Sequence, residues 1–525
     1  MVTRSAWLRL APPLVVAVAA FGAARVALLP GVAFWDTGEL QTVGPLLGTA
    51  HPTGFPTYVL LGWLASVVLQ PFGEPAFRMN VLSAICLAVA AGLTVDVVRA
   101  LTRSTALGVL AGVGLALTPI AWSIGTHADA HALHLVFVVM LLRLLLAWEV
   151  RVRWESDGDP ARRQGRVAAD FGDRYLVAAA VVFGLALGTH SLILLLAPAI
   201  GLFVFAAEPA IRQRRRLVLT CVAALAVTVT VVYLELPLRA GPFRAALVYG
   251  RPETWDGFWY VALGQQFLGS LVDPFGDLPR KLGDLFGLAV DQFGPLAMLI
   301  PFGFIATARR RPRFALLTGV SLGLTCFFAA SYQNADIGRY YLGPIVIAWS
   351  WLAVLAGTTV ESLATAIRRP AGSPSRSGRT GSALAVAVAA ALLLPTVVAA
   401  PGRLPAIDES GDRSAAAWTD LALGAMAPNA LIVSWWSFST PLWYAQRVEG
   451  RRPDLTIVDD RTRLDEGLGE VTDVIDANLG IRPVYVIRSD PDEVVSLAAR
   501  YRLEPVGGAI GFDLTRVVAR LGAGS

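Results

Sequence analysis

The chain has few charged residues, which soluble proteins use to cover their surface. Only 16% of its 525 residues are charged, 55% are hydrophobic, and Lys281 is the single lysine. Such a composition leaves too little polar surface for a globule, which excludes an ordinary soluble domain. The net charge of +5 comes from arginines in short loops between apolar runs, which indicates membrane topology. We therefore expect the lipid bilayer as a partner and no nucleic acid.

Cysteine is also scarce. Cys86, Cys221 and Cys326 are the three cysteines, and each lies inside an apolar run. No pair falls in a predicted outer loop, so we expect neither disulfides nor a cysteine metal site.

Long apolar runs recur through the part of the chain before residue 401 and predict a polytopic membrane protein. If Phe55–Gln70 crossed the membrane, the loop holding Arg151 to Arg174 would face outward, against the positive-inside bias. We therefore predict an interfacial helix there and about eleven spans elsewhere. The N-terminal apolar stretch resembles a signal peptide, but Arg25 favours an uncleaved first helix. With many arginines and one lysine, the chain fits a GC-rich bacterial genome. We expect a bacterial plasma membrane, a cytoplasmic N-terminus and an outer C-terminus.

The pattern changes after the last predicted span. Residues 368–382, RRPAGSPSRSGRTGS, have the composition of a flexible cytoplasmic linker. Beyond residue 400, ALIVSW, LTIVDD and PVYVIRS read as buried strands, with TPLWYAQRVEG, VTDVIDANLG and DPDEVVSLAARY as helices. The sequence thus predicts a membrane domain over residues 1–400 and a small extracytoplasmic α/β domain over residues 401–525.

The stretch FWDTGELQTVGPLLGTAHPTGFP follows the first apolar run and contains Asp36, Glu39 and His51 without any lysine or arginine. Asp36 and Glu39 share one face if a helix begins here. Acids in a first turn can simply stabilise the helix dipole. Ionisable groups at membrane depth are costly, however, and are candidates for function.

A second polar group lies in SIGTHADAHALH. The spacing puts His127, His131 and His134 on one helical face, which could hold a divalent metal. One face of one helix rarely supplies all the ligands of a metal, so we favour Asp129 as an acid that lines a site, with no metal.

Two further segments place arginine beside aromatic residues. Arg339 and Tyr340, in SYQNADIGRYYLGP, could bind a lipid phosphate, or could be part of an interfacial aromatic belt. The loop after Tyr233 contains Arg239 and several aromatic residues, a weak indication of sugar or lipid-head recognition. His190, at the end of a span, reads as a helix-end polar group.

Taken together, these motifs resemble the GT-C superfamily of membrane glycosyltransferases. The acid pair after the first span, the Pro-rich interfacial segment and WSIGTHADAHAL are similar to the lipid A aminoarabinose transferase and protein O-mannosyltransferase branches. WDTGEL, HPTGFP, GLALGTH, GRYYLGP and LWYAQRVEGRRPDLTIVD resemble more closely a bacterial family of transmembrane O-mannosyltransferase-like proteins. Asp129 and His131 depart from that pattern, where Glu and an aromatic residue are usual.

The resemblance implies an inverting transfer of a sugar from a polyprenyl-phosphate donor to an acceptor on the outer face. Mannose is the sugar it favours, and a protein Ser or Thr is one possible acceptor, beside a lipid or glycan. In this scheme Asp36 is the general base, while Glu39 and Asp129 orient the acceptor or the sugar. Arg339 holds the lipid phosphate. His51, His127, His131, Arg239 and Tyr340 complete the expected substrate-binding set.

Two other classes remain possible. A transporter or flippase of a polyprenyl-linked sugar predicts internal repeats and charges near mid-membrane, whereas here charges cluster at one face and no repeat is evident. A non-catalytic envelope assembly protein predicts loss of Asp36 and Glu39, and both are present.

Overall fold

A computed structural model of the chain describes residues 4–156, 166–367, 377–506 and 514–522. It forms two compact units. The first, called here the helical unit, comprises Met1–Leu28, Ser83–Val232 and Phe267–Asp408. The second, called the mixed unit, comprises Leu29–Leu82, Tyr233–Gln266 and Glu409–Ser525.

The helical unit consists of α-helices joined by short turns and 3₁₀ segments. Its α-helices are Arg4–Val26, most of Pro75–Thr102, Thr105–Ala116, Pro119–Ser123, Ala130–Ser156, Arg166–Leu187, Ala197–Ala207, Arg215–Tyr233, Leu278–Phe293, Ile300–Arg310, Pro312–Ala329, Leu342–Ile367 and Ser377–Ile407. The 3₁₀ segments are Ser191–Leu196, Pro209–Gln213, Gln265–Ser270, Gly294–Leu299 and Ile337–Tyr341.

Eight helical stretches of the described residues are long and apolar enough to cross a membrane. They are Arg9–Val26, Pro75–Thr102, Ala130–Val152, Arg215–Ala240, Leu278–Arg310, Pro312–Ala329, Ile337–Ile367 and Gly381–Ile407. Three apolar helices are shorter, namely Pro56–Val68, Thr105–Ala116 and Ser191–Ala207. The segment predicted as an interfacial helix, Phe55–Gln70, is the first of these short ones. This pattern supports a multi-pass membrane protein.

Small residues let helices of the helical unit approach closely. A Cβ added at Gly92 would lie 2.9 Å from the carbonyl oxygen of Pro13, and one at Gly112 would lie 2.7 Å from that of Ala91. Val16, Ala20, Ala88, Ala91, Val95 and Ala116 form the buried contact between the same helices. Glycine and alanine at helix contacts are the usual means of packing helices in a bilayer.

Part of the predicted linker, residues 368–376, lies outside the described residues, as do the arginines at positions 162 and 163. From Ser377 onward the chain is helical, so the end of the predicted linker forms the first turns of Ser377–Ile407. That helix continues beyond residue 400, and the division of the chain at that position stays a prediction.

The mixed unit contains one five-stranded sheet. Its strands are β1 (Leu431–Ser434), β2 (Thr456–Asp459), β3 (Val484–Ile487), β4 (Tyr501–Pro505) and β5 (Leu514–Arg520), in the order β2-β1-β3-β5-β4. β1 pairs in parallel with β2 and β3, whereas β5 is antiparallel to β3 and β4. The three predicted strands are confirmed, and β4 and β5 were not predicted.

The helices of the mixed unit include those of FWDTGELQTVGPLLGTAHPTGFP (residues 34–56), called here the opening stretch. They are Trp35–Leu46, Pro56–Val68, Glu235–Ala240, Trp255–Ala262, Ser414–Ala425, Trp436–Trp443, Asp460–Asp465, Val471–Asn478 and Pro491–Arg500, with a 3₁₀ turn at Gln70–Phe72 and a π-helical turn at Tyr444–Val448. The three helices predicted after residue 400 are confirmed.

The opening stretch is anchored to one face of the sheet. Phe34, the residue before the helix Trp35–Leu46, packs on the core formed by Ile432, Tyr485 and their neighbours. Its ring lies 5.3 Å from Phe438 and 5.8 Å from Trp418, in edge-to-face geometry. The C-terminal segment (Glu409–Ser525) therefore fixes where this helix begins.

Candidate active site

The predicted helix in WDTGELQTV is present and begins at Trp35, so Asp36 lies in its first turn. Trp35 has a φ of 60°, which is unusual for a bulky residue and marks a constrained backbone next to the acid. The Asp36 carboxylate is half-buried, and its Oδ1 accepts a hydrogen bond of 3.1 Å from the indole Nε1 of Trp436.

Glu39, one turn further on, holds His51. Its Oε1 accepts the backbone N–H of His51 at 2.7 Å, and its Oε2 lies 2.5 Å from Nδ1 of the same imidazole. Burial raises the pKa of Glu39 above its ordinary value, although His51 opposes the shift. Both oxygens are thus engaged in fixing the HPTGFP loop, while orientation of the acceptor or the sugar by Glu39 stays a prediction.

A pair of amides fixes the chain before the helix. Gln41 accepts the backbone N–H of Ala33 at 2.8 Å and donates to Oδ1 of Asn80 at 2.8 Å. Asn80 donates in turn to the carbonyl oxygen of Leu29 at 3.0 Å. Both side chains are fully buried, where an unsatisfied amide is costly, so the network holds the entry to the Asp36 helix in one conformation.

Arg239 contacts the other end of the same helix. Its Nε donates to the carbonyl oxygen of Leu47 at 2.8 Å, and its Nη2 donates to that of Leu46 at 3.2 Å. A cation that binds the last carbonyls stabilises a helix end. The structure thus gives Arg239 a helix-capping contact, while its part in sugar or lipid-head recognition stays a prediction.

The loop after Tyr233 contributes Tyr249 to the surroundings of the acids. Its backbone N–H donates to Oγ1 of Thr49 at 2.6 Å, and its hydroxyl donates to Gln266 at 2.8 Å. The guanidinium of Arg461 lies 4.6 Å from the centre of the Tyr249 ring. The C-terminal segment therefore also holds this loop.

The second predicted acid, Asp129, is in the helical unit, directly before the helix Ala130–Ser156. Its Oδ1 accepts the backbone N–H of His131 at 2.6 Å and lies 2.9 Å from the Nδ1 of that residue. Its Oδ2 lies 3.5 Å from Nη1 of Arg339. Burial acts to raise the pKa of Asp129, but His131 and then Arg339 outweigh it and hold that pKa well below its usual range.

Rings pack beside this acid. The imidazole of His131 lies 4.5 Å from that of His190 and stacks on Tyr340 at 5.5 Å. His190 also accepts the backbone N–H of Leu192, which agrees with its predicted place at a helix end. The structure thus brings together Asp129, His131, Arg339 and Tyr340.

The predicted histidine face is different in the structure. The helix starts at Ala130, so His127 lies in the preceding bend, 3.3 Å from the hydroxyl of Thr126. The imidazoles next to one another are those of His131, His134 and His190. Among the described residues, no group of three or more His, Cys, Asp or Glu side chains is placed to hold a metal ion.

Trp436 and Tyr249 were not recognised from the sequence. Trp436 follows β1 after one residue, at the carboxyl end of a strand paired in parallel with two others, and such ends often carry functional side chains. The two adjacent tryptophans of SWWSFST, directly after a predicted strand, were the feature of the sequence that could have indicated this site.

The fold is that of the GT-C membrane glycosyltransferases, as predicted. ArnT from Cupriavidus metallidurans bound to undecaprenyl phosphate superposes with a TM-score of 0.57 at 15% identity, covering 98% of this chain and 99% of that one. The oligosaccharyltransferase AglB from Archaeoglobus fulgidus, in complex with an inhibitory peptide and a dolichol-phosphate, gives 0.52 at 14% identity over 90% of this chain and 69% of that one.

A narrower resemblance is found in the sequence itself. Residues 36–213 match the family model of the protein O-mannosyl-transferase TMEM260 N-terminal domain. Protein O-mannosyl-transferase TMEM260 of Mus musculus is 26% identical over 362 residues, which are 65% of this chain and 48% of that protein. The Dictyostelium discoideum protein of that name is 26% identical over 125 residues, 24% of this chain and 15% of its own length. The chain thus spans at most about half the length of these relatives, and the predicted resemblance is confirmed.

Proposed function

We propose that this chain is a membrane glycosyltransferase that moves a sugar, mannose, from a polyprenyl-phosphate donor to a hydroxyl of a protein Ser or Thr. The observation that carries this proposal is the position of Asp36, in the first turn of a tightly fixed helix on a chain with the GT-C fold. The undecaprenyl phosphate bound by ArnT supports the donor class, and the names of the two curated relatives support the sugar and the acceptor.

In the proposed reaction the acceptor oxygen attacks the anomeric carbon of the sugar. The bond between that carbon and the phosphate oxygen breaks, and polyprenyl phosphate leaves with the electron pair. Asp36 takes the proton of the acceptor hydroxyl, a role worth about 10²–10⁴-fold in rate. Glu39 keeps His51 and the HPTGFP loop in place, since its two oxygens bind the backbone and ring of His51.

Arg339 is proposed to bind the phosphate of the lipid donor, and Asp129 to hold Arg339 in its conformation until then. Their charged groups lie 3.5 Å apart, and both side chains are largely buried. A guanidinium that faces a developing phosphate charge in a water-poor site stabilises it strongly. His131 and Tyr340, stacked beside this pair, are proposed to line the donor site, and His127, in the bend before Asp129, is proposed to bind substrate there.

The arginine-rich loops support an orientation in which the N-terminus is cytoplasmic and the C-terminal segment faces outward. A bacterial plasma membrane suits this arrangement and the arginine-rich composition.

The experiment incubates purified protein in detergent with short-chain polyprenyl-phosphate sugars and measures release of polyprenyl phosphate. Wild type is compared with Asp36→Asn, a substitution of nearly equal size. We expect release from the mannose donor, and its loss in the variant. Release from another donor alone would replace mannose. No release from any donor, even with a cell-envelope extract as acceptor, would favour a transporter or an assembly protein.

A further inference from the structure

The C-terminal segment reaches the proposed base directly through Trp436. This residue begins the helix Trp436–Trp443, two positions after β1 ends at Ser434. All four residues of β1 are buried, so the end of the strand is fixed by the sheet. From there the indole Nε1 donates to Oδ1 of Asp36 over 3.1 Å, between residues 400 positions apart in the chain.

The indole ring is held from three sides. It meets His51 at 5.6 Å and Tyr249 at 5.8 Å between ring centres, each at 87°, and Trp443 at 5.8 Å and 78°. Edge-to-face contacts of this kind are favourable beyond the burial of area and orient the ring. The N–H of Trp436 therefore has little freedom to point elsewhere.

The helix of Asp36 and the helix of Trp436 are also in close contact where Gly38 meets the side chain of Thr440. A Cβ at Gly38 would lie 2.8 Å from Oγ1 of Thr440 and 2.2 Å from the carbonyl oxygen of Ala33. Gly38 therefore has no room for a side chain. The helix of Asp36 and the helix of Trp436 thus pack directly on each other at this point.

We propose that Trp436 is a positioning residue for the transferase reaction: its indole N–H holds one oxygen of Asp36, so that the carboxylate faces the acceptor hydroxyl in a single orientation. This inference rests on the proposed function. It gives the C-terminal segment a direct part in the chemistry of an acid that lies near the start of the chain.

The first test replaces Trp436 by Phe, which keeps an aromatic ring and removes the N–H. We expect kcat to fall about tenfold to hundredfold, since a reacting group that is displaced by about 1 Å can lose this much, with KM changed less than threefold. Because a donor favours the charged carboxylate, its loss should move the acidic limb of the pH–kcat profile upward by about half to one pH unit. Glu39, His51 and Tyr249, titratable residues near this contact, are retained in this variant.

The matched control is Trp435→Phe. The indole Nε1 of Trp435 is buried and has no hydrogen-bond partner among the described residues, so this variant removes an N–H from the neighbouring position without touching Asp36. We expect its kcat and pH profile to stay within twofold of wild type. A second variant, Trp436→Gln, places an amide N–H three bonds from Cβ, as in the indole. We expect its acidic limb to return toward that of wild type although ring packing is lost.

A readout that needs no turnover separates this inference from the proposed function. Water-soluble carbodiimide modifies protonated carboxyl groups, and peptide mass spectrometry measures modification of Asp36 against pH. We expect the midpoint to rise in Trp436→Phe and to stay in Trp435→Phe. An unmoved midpoint with an unmoved acidic limb would overturn the positioning role. If wild type transfers no sugar from any donor, the proposed function fails, while a shifted midpoint still supports the contact.

Discussion

Asp36 and Asp129 both lie at the start of a helix, but their carboxylates contact different kinds of side chain. Asp36 accepts a hydrogen bond from the neutral indole of Trp436. Asp129 lies beside the imidazole of His131 and the guanidinium of Arg339, which hold its pKa low. A carboxylate whose charge is stabilised by a cation is a weak base. The cations beside Asp129 make it a poor candidate for the base, and we propose a supporting role for it, while proton removal by Asp36 stays part of the proposed function.

The largest expected effect tests this assignment directly. Asp36→Asn should lower turnover by about 10²–10⁴-fold, since the variant lacks a base. Asp129→Asn should lower it by less than about tenfold, because an amide can still accept the N–H of His131 at the same place. Sugar transfer under saturating donor and acceptor measures both. A greater loss in Asp129→Asn than in Asp36→Asn would reverse the two roles.

The next effect concerns the pair in the helical unit. Arg339→Gln leaves the buried Asp129 without its guanidinium, and breaking a buried pair from one side costs about 3–5 kcal/mol. The free energy of unfolding is measured in detergent from the tryptophan fluorescence at several denaturant concentrations. The double variant with Asp129→Asn should recover part of the loss. A double variant as unstable as the sum of the two singles would show that the two side chains do not interact.

Glu39 offers a comparison within the mixed unit. Glu39→Ala removes the acceptor for the backbone and ring of His51 and should cost about 1.5–3 kcal/mol of unfolding free energy. Glu39→Gln keeps an acceptor for the backbone N–H and should cost less. If Glu39 has a positioning role and takes no part in proton transfer, the turnover of Glu39→Gln should be higher than that of Glu39→Ala. Equal inactivity of both variants with normal stability would instead assign Glu39 a part in proton transfer.

The smallest effect is a pH dependence. The folded-state pKa of Asp129 is lowered from an ordinary 3.8, so its stabilising contribution is present above pH 3.8 and is lost as the pH falls below it. Wild type should therefore lose stability below that pH more steeply than Asp129→Asn. Apparent unfolding temperatures between pH 3 and pH 7 provide the measurement, and parallel curves for the two proteins would contradict it.

The sequence predicted the elements that have a clear apolar pattern, two of which are uniformly buried strands. β1 and β3 are runs of four buried residues, all of them apolar except Ser434. β4 and β5 mix buried positions with partly and fully exposed ones and contain Arg502, Glu504 and Arg516, so they lack that signal. These two segments form strands because they pair in antiparallel fashion at one edge of the sheet, and local composition does not reveal such pairing.

The partners of the acids could not be predicted in the same way. Acids near a membrane boundary are conspicuous because charge is rare in this chain, and so Asp36, Glu39 and Asp129 were recognised. Trp436 and His190 reach their neighbours through tertiary packing, for which sequence spacing has no signature. The sequence spacing wrongly put His127 on the same helical face as His131 and His134. The helix begins only at Ala130, where Asp129 caps it by accepting the backbone N–H of His131, so His127 lies outside the helix.

The contact between Asp36 and Trp436 also sets a time scale for the synthesis of the protein. The mixed unit is assembled from the beginning, the middle and the end of the chain. At about 5–20 residues per second, the ribosome needs roughly 20–80 s to pass from the acid to its indole partner. During that interval Phe34 and the buried face of the Asp36 helix are not yet covered by the sheet, because its strands have not been synthesised. Newly made chains therefore depend on whatever shields this surface at the membrane until translation reaches β1.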